Sequence, residues 1–223
     1  MDRSEIRYDA YANLRSDGEM STIATVHVVD DDAAMRDSLR ILLEASGFLV
    51  RTYDSASAFL ASSPQGFGCV LTDVRMPDID GLELLRRLGD QGLQLPVIVM
   101  TGQGDIAIAV QAMKAGAVDF LEKPFGDESL LGAIARALEE SERLRERAAT
   151  SAEAAARLAA LTPREREVFD LLVTGLPNKA IANTLGTSPR TIEVHRARVY
   201  EKLQSHSLPD LVRLVLAAES GRV

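Results

Sequence analysis

The sequence is poor in cysteine, tryptophan and aromatic residues. Cys69 is the only cysteine among 223 residues, tryptophan is absent, and aromatic side chains make up 4% of the chain. A single cysteine excludes a disulfide framework and a cysteine-based metal cluster within the chain. The scarcity of aromatic side chains means that aliphatic packing must dominate the cores. One free cysteine also fits a reducing compartment, and we expect the protein in the cytoplasm.

Long apolar runs are missing as well. No stretch of the sequence is long enough to cross a bilayer as a helix. The segment from Met1 to Met20 is charged and has no apolar signal core, so we expect neither membrane insertion nor export. Residues 1–21 show no clean hydrophobic period. We interpret them as a flexible N-terminal extension in which a short helix remains possible.

The net charge of −8 is unevenly distributed along the chain. Residues 22–125 contain eight Lys and Arg against fourteen Asp and Glu, whereas residues 161–223 contain nine against seven. The overall charge argues against nucleic-acid binding by the whole chain. An acidic first part and a mildly basic last part are typical of a two-part protein with one nucleic-acid partner.

Short apolar segments alternate with amphipathic segments over the first part of the chain. The pattern predicts five strands, over residues 25–29, 49–53, 69–72, 96–101 and 117–122. It predicts five helices, over residues 33–46, 56–61, 81–88 and 106–115 and from residue 127 onward. Alternating strands and helices indicate a parallel sheet covered on both faces. We therefore expect an α/β domain of the flavodoxin-like, doubly wound (βα)5 class.

The last of these helices is predicted to continue far beyond the sheet. It runs from Asp127 to about Ala160, and neither proline nor glycine follows Gly132 in that stretch. Apolar, small and polar residues recur in it at heptad spacing, namely Leu130, Ile134, Ala137, Ser141, Leu144, Ala148, Ser151, Ala155 and Leu158. The small and polar members would bury little area. A solvated helical linker and a dimeric coiled coil both remain open.

The C-terminal part has the pattern of a small all-α domain. Thr162, Pro163 and Glu165 form a capping-box signature at the start of a first helix. A second helix is predicted over about 177–185, a third from Ser188-Pro189 to about residue 203, and a fourth from Ser207. Two helices separated by a short glycine-containing turn indicate a helix-turn-helix within a four-helix domain.

Several acids follow predicted strands at one edge of the predicted sheet. Asp73 ends the third strand, and Asp30 and Asp31 end the first, which this fold places beside it. One such acid alone would be read as a helix cap or a solvated loop residue. Grouped carboxylates repel one another unless a cation neutralises them. Mg²⁺ prefers hard oxygen ligands and often takes one or two carboxylates, so the group predicts a magnesium site.

Three further residues lie at or near the same predicted edge. Thr101 ends the fourth strand, Lys123 follows the fifth, and Phe120 lies within the fifth. A hydroxyl in this position often bonds a local backbone group, and a phenylalanine in a strand usually belongs to the core. A lysine beside carboxylates instead supplies a mobile positive charge.

These residues and motifs resemble those of two-component response regulators. Residues 70–81, VLTDVRMPDIDG, are similar to the phosphorylation site of that family. The segments LTPREREV, GLPNKAIA and SPRTIEVHRARVYEKL resemble the LuxR-type DNA-binding domain. From Thr22 to Glu219 the chain is similar to FixJ/NarL-type members. The resemblance implies a receiver domain over residues 22–140, a helical linker over 141–160 and a LuxR-type domain over 161–223, and the extension over residues 1–21 has no counterpart in it.

The resemblance implies specific roles for the residues of the receiver domain. Asp73 would accept a phosphoryl group from a sensor histidine kinase, and Thr101 and Lys123 would contact that group. Asp30, Asp31, Asp73 and the main-chain carbonyl of Arg75 would bind Mg²⁺. Thr101 and Phe120 would move inward on activation, while Arg75 and Gln103 would tune hydrolysis. Apart from catalysing its own phosphorylation and dephosphorylation, such a protein would not be an enzyme.

The resemblance also implies a DNA-binding surface and further partners. Its residues are Asn178, Lys179, Arg190, Thr191, Glu193, Val194, Arg196, Ala197, Arg198 and Lys202. Glu193, Val194 and Ala197 would face bases, whereas the basic side chains would reach phosphates. The expected partners are promoter DNA, RNA polymerase and a phosphorylation-dependent second copy of the chain. For that dimer we expect a face carrying Ala107, Val110 and Ala133.

Two other functional classes fit parts of the sequence. Residues 102–107 match G-x-G-x-x-A and Glu122 follows at the spacing of a ribose-binding acid, which would indicate a nucleotide-binding oxidoreductase. This fingerprint normally follows the first strand of its unit, and it leaves Asp30, Asp31 and Asp73 unexplained. The second alternative is a phosphate relay or adaptor whose last domain binds protein.

Overall fold

The computed structural model describes residues 24–64, 66–102 and 106–220. The interpretation of residues 1–21 as an extension, and the role expected of Gln103, concern residues outside the described part. The chain divides into two compact units, with the boundary between Leu144 and Arg145. The domain limits drawn from the sequence stay predictions, and each unit is described by itself below.

A parallel sheet of five strands forms the centre of the first unit. The strands are β1 (Thr25–Val29), β2 (Leu49–Tyr53), β3 (Gly68–Asp73), β4 (Val97–Thr101) and β5 (Asp119–Glu122). They are arranged in the order β2-β1-β3-β4-β5, and every neighbouring pair is parallel. This order confirms the flavodoxin-like prediction. The direction of winding reverses between β1 and β3, where such sheets place their functional crevice.

Helices cover both faces of this sheet. They are α1 (Ala33–Ala45), α2 (Ala56–Ala61), α3 (Gly81–Asp90), α4 (Ile106–Lys114) and the first part of α5 (Asp127–Ala159). β3 and β4 are buried along their whole length, as their continuous apolar sequences predicted. Successive residues of β3 point to opposite faces of the sheet. Val70 packs in the core that includes Leu84 of α3, and Leu71 packs in the core that includes Leu130 of α5.

The second unit contains four helices after the end of α5. They are α6 (Pro163–Val173), α7 (Asn178–Thr184), α8 (Pro189–Lys202) and α9 (Leu208–Glu219). The capping box at the start of α6 is confirmed, since Thr162 caps the helix and Glu165 bonds back to the Thr162 main chain. The core of the unit includes Phe169, Ile181, Ile192 and Leu211. Helix, turn and helix therefore occur where the sequence predicted them.

The apolar faces of these helices contain both fully and partly buried side chains. In α3, Leu84 is fully buried, and Leu82 packs against the same core while remaining partly exposed. In α6, Phe169 is buried, and Leu171 packs against the same core while remaining partly exposed. Helical periodicity identifies an apolar stripe, but the neighbouring elements decide which edge of that stripe is covered.

The heptad positions of α5 are used largely within the single chain. Leu130, Ile134 and Ala137 are fully buried in the core of the first unit. Leu158 belongs to the core of the second unit, whereas residues 145–150 are exposed. The apolar members at the two ends thus have partners in their own units. This packing favours the helical-linker interpretation over a continuous coiled-coil seam.

Candidate functional site

Two buried carboxylates meet at the carboxyl ends of β1 and β3. Val29 lies opposite Thr72 in the register of these strands, so the next residues, Asp30 and Asp73, emerge side by side. Asp30 is 1% exposed and Asp73 is 8% exposed. The close packing of α3 limits the space around Asp73, because any side chain at Gly81 would collide with the Asp73 carbonyl group. The topology therefore forms a narrow acidic site.

A single lysine ammonium neutralises both acids. Lys123 Nζ lies 2.9 Å from Asp30 Oδ2 and makes a still closer contact with Asp73 Oδ1. Lys123 follows β5, and its main-chain N–H donates to the Thr101 carbonyl at 2.7 Å. This main-chain bond anchors the base of the side chain at the end of β4. The sheet thus assembles three residues that are 43 to 93 positions apart in the chain.

Burial and charge act in opposite directions on these groups. Burial raises the pKa of Asp73, and the neighbouring Asp30 adds to that rise, while the hydrogen bond from Lys123 partly offsets it. For Lys123, burial alone would lower the pKa. The hydrogen bonds to Asp73 and Asp30 outweigh this effect, and the pKa of Lys123 is raised. Lys123 therefore carries its positive charge at neutral pH.

The three consecutive acids after β1 have different positions. Asp30 is buried beside Asp73, whereas Asp31 is exposed. Asp32 caps α1 by accepting from the main-chain N–H groups of Ala34 and Met35 at 2.8 and 3.4 Å. Asp32 is therefore the N-cap of α1.

The acidic site has the donor chemistry that Mg²⁺ requires. Over the part of the chain that the structure describes, no group of three or more His, Cys, Asp or Glu residues converges on one point. Mg²⁺ does not need such a group, because it commonly takes one or two carboxylates and completes its shell with water and phosphate oxygens. Oxygens of Asp30 and Asp73 already converge on one cation, the Lys123 ammonium. The residues present therefore fit a magnesium ion.

Arg75 approaches the site through its main chain. Its N–H donates to Asp73 Oδ2 at 2.6 Å, while Asp73 Oδ1 faces Lys123. Both oxygens of the Asp73 carboxylate are thus held by donors. The sequence reasoning assigned the Arg75 carbonyl to the metal, and that assignment stays a prediction.

Thr101 and Phe120 lie beside a cavity of about 450 Å³. Thr101 is buried, and its hydroxyl donates to the Gly102 carbonyl at 3.1 Å, which is the local backbone bond expected by default. Phe120 is 41% exposed. The expectation of an ordinary core residue at Phe120 is therefore wrong, because its side chain lies on the outer surface of the last strand.

An exposed apolar face surrounds Phe120. Ile106, Val110 and Met113 of α4 are between 45% and 76% exposed, and with Phe120 they line the same cavity. We call these four residues the α4-β5 face. Ala133 does not belong to it, contrary to our expectation from the sequence. Ala133 is fully buried, because it lies on the side of α5 that packs against the sheet.

In the second unit, α8 presents an exposed polar surface with one apolar side chain. Val194 is 48% exposed. The other exposed members of the predicted DNA-contacting set are Lys179 of α7 and Arg190, Thr191, Glu193, Ala197, Arg198 and Lys202 of α8. Ile192 and Val199 lie on the opposite side of α8 and are fully buried. One side of α8 thus anchors the helix, while the other displays the residues expected to read DNA.

Three of the predicted contacts are engaged inside the unit. Arg196 Nη1 donates to Asn178 Oδ1 at 2.7 Å, and the guanidinium lies 5.7 Å from the centre of the Tyr200 ring. Lys202 Nζ donates to Glu165 Oε2 at 2.7 Å, and this bond lowers the pKa of Glu165 to about 2. The DNA contact expected of Lys202 stays a prediction. Asn178 and Arg196 join α7 to α8.

Comparison with known proteins identifies both units. The model of the response regulator receiver domain matches residues 26–135, and that of the luxR family of bacterial regulatory proteins matches residues 159–215. The transcriptional regulatory protein FixJ of Bradyrhizobium diazoefficiens is 52% identical over 200 residues, which cover 89% of this chain and 98% of that one. The chain belongs to the FixJ-type response regulators. FixJ of Rhizobium meliloti is 50% identical over 88% of this chain and 97% of its own.

Solved structures of response regulators resemble the chain as well. Full-length FixJ from B. japonicum is 51% identical, with a TM-score of 0.55 over 89% of this chain and 98% of that one. The response regulator StyR is 42% identical, with a TM-score of 0.72 over 87% of this chain and 98% of its own. These likenesses extend over both units of this FixJ-type response regulator.

The family assignment decides between the functional classes considered for the sequence. A FixJ-type response regulator is a transcription factor and not a classical enzyme; its receiver domain implies a histidine kinase partner and its LuxR-type domain implies DNA binding. The oxidoreductase interpretation was wrong, and residues 102–107 follow β4, not the first strand. Across the described ranges, no helix is both long and apolar enough to cross a membrane.

One residue that contacts the acidic site was not predicted from the sequence. Arg36, in the first turns of α1, donates from Nη1 to the main-chain carbonyl of Asp30 at 2.7 Å. Side chains of a helix tilt toward its N-terminus, so an arginine at this position reaches back to the turn before the helix. Its spacing of six residues from Asp30 could have suggested the contact.

Proposed function

We propose that this response regulator accepts a phosphoryl group on Asp73 and that phosphorylation controls its binding to promoter DNA. The observation that carries the proposal is the Lys123 ammonium shared by the buried carboxylates of Asp30 and Asp73. The donor would be a phosphohistidine of a cognate sensor histidine kinase. The protein would work in the cytoplasm, where its DNA target and RNA polymerase are found.

The transfer is a displacement at phosphorus in which Asp73 is the nucleophile. A carboxylate oxygen of Asp73 forms the new O–P bond while the N–P bond of the phosphohistidine breaks and its electrons return to the imidazole. Lys123 holds positive charge beside the oxygen that attacks, and Thr101 would donate to a phosphoryl oxygen. The main-chain N–H of Arg75 keeps the carboxylate oriented.

Asp30, Asp31, Asp73 and the Arg75 carbonyl would hold Mg²⁺. When bound, this ion supplies positive charge to the oxygens of the transferring group. The fold buries Asp30 and thereby fixes its position. Asp31, the next residue, is exposed, as is expected of a metal ligand that water can replace. The same residues would support hydrolysis of the aspartyl phosphate, which is the only other reaction we assign to the chain.

The LuxR-type unit would bind DNA with α8 as its recognition helix. Lys179, Arg190, Arg196 and Arg198 would contact phosphates, which provide affinity without sequence information. Thr191, Glu193, Val194 and Ala197 would lie close to the base edges, where Glu193 could accept from cytosine and Val194 could contact a thymine methyl group. Exposure of an aliphatic side chain such as Val194 on a polar helix supports this use.

Activation would join two copies of the chain. We propose that Thr101 and Phe120 shift inward on phosphorylation and that the α4-β5 face then covers the same face of a second copy. The four exposed apolar side chains of that face support this role, since apolar surface of this kind often marks an interface. Two copies would bind a two-fold-related DNA site more tightly than one.

The phosphoacceptor assignment is tested by labelling with acetyl phosphate in the presence of Mg²⁺. The wild type should incorporate about one phosphoryl group per chain, and Asp73→Asn should incorporate none, because the amide cannot form an acyl phosphate. Asp78→Asn, the same substitution at an exposed acid of the following loop, serves as the control and should be labelled normally. Stoichiometric labelling of Asp73→Asn would remove Asp73 from its proposed role.

A further inference from the structure

We infer that Arg36 is a positioning residue for the magnesium and phosphoryl site, acting through the main chain of Asp30. The inference rests on the proposed function of that site. Arg36 Nη1 donates to the Asp30 carbonyl at 2.7 Å, and the contact is partly shielded from solvent. The carbonyl belongs to the turn that leads from β1 into α1, so the bond ties α1 to the turn that carries Asp30 and Asp31.

Every polar group of Asp30 is engaged, and Arg36 supplies one of the four contacts. The Asp30 N–H donates to the Tyr53 carbonyl at 3.2 Å, as part of the β1–β2 pairing. Asp30 Oδ1 accepts from the Asp32 N–H at 2.9 Å, and Oδ2 accepts from Lys123 at 2.9 Å. The remaining group, the carbonyl, accepts from Arg36. An acid held in this way has its carboxylate fixed before any ligand arrives.

Arg36 differs from the other arginine of the same helix. Arg40, one turn further along α1, pairs with the exposed acids Asp37 and Glu44 at 3.5 and 3.3 Å. Such exposed pairs contribute little, and they do not reach the turn after β1. The guanidinium of Arg36 instead donates a hydrogen bond to a main-chain carbonyl beside the acidic site. A residue that orients metal ligands must bond to the segment that carries them, as Arg36 does.

The positioning role and a role as a local charge predict opposite changes in Mg²⁺ affinity. A cation near the site repels Mg²⁺, so loss of the Arg36 charge alone would tighten Mg²⁺ binding. Loss of the hydrogen bond would let the turn and its two acids shift, and Mg²⁺ binding would weaken. The sign of the change therefore separates the two roles.

The experiment is a calorimetric titration of the full-length protein with Mg²⁺, without phosphodonor. Arg36→Met should raise the dissociation constant by about tenfold, in line with residues that orient metal ligands elsewhere. Arg40→Met removes the same charge from the same helix and should leave the constant unchanged or slightly lower. Equal or tighter Mg²⁺ binding by Arg36→Met would overturn the inference.

Arg36→Lys provides a second test in case Arg36→Met folds poorly. It keeps the charge but shortens the side chain, so a pure charge role predicts wild-type Mg²⁺ affinity, whereas the positioning role predicts weaker binding. Thermal unfolding in EDTA checks the fold of each variant. If wild-type protein is not labelled by acetyl phosphate, the proposed function fails. If it is labelled and Arg36→Lys binds Mg²⁺ like the wild type, only the inference on Arg36 fails.

Discussion

At the scale of single residues, the acidic site is a balance between burial and one shared cation. Asp30 and Asp73 are buried together, which would be unfavourable for two carboxylates without a counter-ion. Lys123 provides that counter-ion, yet the pKa of Asp73 stays raised because burial outweighs the lysine. Keeping Asp73 ionised at neutral pH therefore costs folding free energy. This cost would accompany the proposed role of Asp73 as a nucleophile, which must be ionised to attack.

The raised pKa of Asp73 leads to a prediction about stability. A carboxyl group with a folded-state pKa above its unfolded value destabilises the native state as pH rises through that interval. Asp73→Asn removes this penalty, while its amide oxygen can still accept from Lys123. We expect a higher thermal unfolding midpoint than wild type at pH 7. The difference should shrink as pH falls through the raised folded-state pKa of Asp73, and it should vanish below the unfolded pKa of about 3.9, where Asp73 is protonated in both states.

Asp78→Asn is the matched control for this measurement. Asp78 is exposed in the same loop and makes a hydrogen bond with Ser57 on the surface. Its substitution should not produce a pH-dependent gain in stability. A lower unfolding midpoint for Asp73→Asn at pH 7 would show that the lysine contact stabilises the fold more than burial of the carboxylate destabilises it.

At the scale of elements, the contact between α7 and α8 organises the proposed DNA-binding surface. Asn178 begins α7, and its side-chain oxygen accepts from Arg196 of α8. Tyr200, one turn further along α8, supports the guanidinium from another side. Arg196 is thus held in place in the free protein. We expect Asn178 to act on DNA mainly by orienting Arg196, so the two residues should behave as a pair.

A double-mutant cycle tests this pairing. Asn178→Ala and Arg196→Ala should each weaken binding to a random duplex, and their combined effect should fall short of the sum by about 1 kcal/mol. Arg196→Ala should also reduce the slope of log affinity against log salt by about 1, because one phosphate contact is lost. The measurement is fluorescence anisotropy of labelled DNA at several salt concentrations.

Lys179→Ala combined with Arg196→Ala is the control cycle. Lys179 is exposed and is proposed to contact a phosphate by itself, so these two effects should add. If the effects of Asn178→Ala and Arg196→Ala also add, Asn178 contacts DNA independently, and the pairing proposed here is wrong.

At the scale of the whole molecule, the proposed phosphorylation site and the proposed DNA-binding surface belong to different units. One continuous helix, α5, belongs to both, because residues near its start pack in the first core and Leu158 packs in the second. The α4-β5 face, which includes Phe120, lines the same cavity as Thr101 in the first unit. Dimerisation through this face would therefore couple phosphorylation at Asp73 to the number of DNA-binding units on one duplex.

Mass in solution tests the coupling. We expect wild-type protein to be mostly monomeric alone and dimeric with beryllofluoride and Mg²⁺, which mimic the phosphoryl group. Val110→Glu places a charge in the α4-β5 face and should remain monomeric in both conditions. Ile41→Glu is the control, since Ile41 is an equally apolar and exposed residue of α1, and this variant should still dimerise. A wild-type dimer of the same mass and DNA affinity in both conditions would reject the switch.

Much of the fold was determined by the sequence alone. β3 and β4 were predicted from continuous apolar runs, which are typical of strands buried on both faces, and the shorter strand β2 was placed at its observed limits. Thr162 and Ser188 were identified as helix caps because they precede proline at the first helical position. These signals are local, since a cap or a hydrophobic period depends on residues a few positions apart.

The tertiary structure alone decided which neighbours these elements meet. It placed Phe120 on the surface, although a phenylalanine in a strand usually belongs to the core, and it placed Ala133 in the core, although we expected it on an exposed face. It gave Asp32 to a helix cap and Asp30 to the site, and it joined Arg36 to the Asp30 carbonyl. Each of these outcomes depends on contacts between residues of separate elements or turns. The hydrophobic pattern of the sequence indicates which face of each helix or strand is apolar. Tertiary packing decides which other element covers that face.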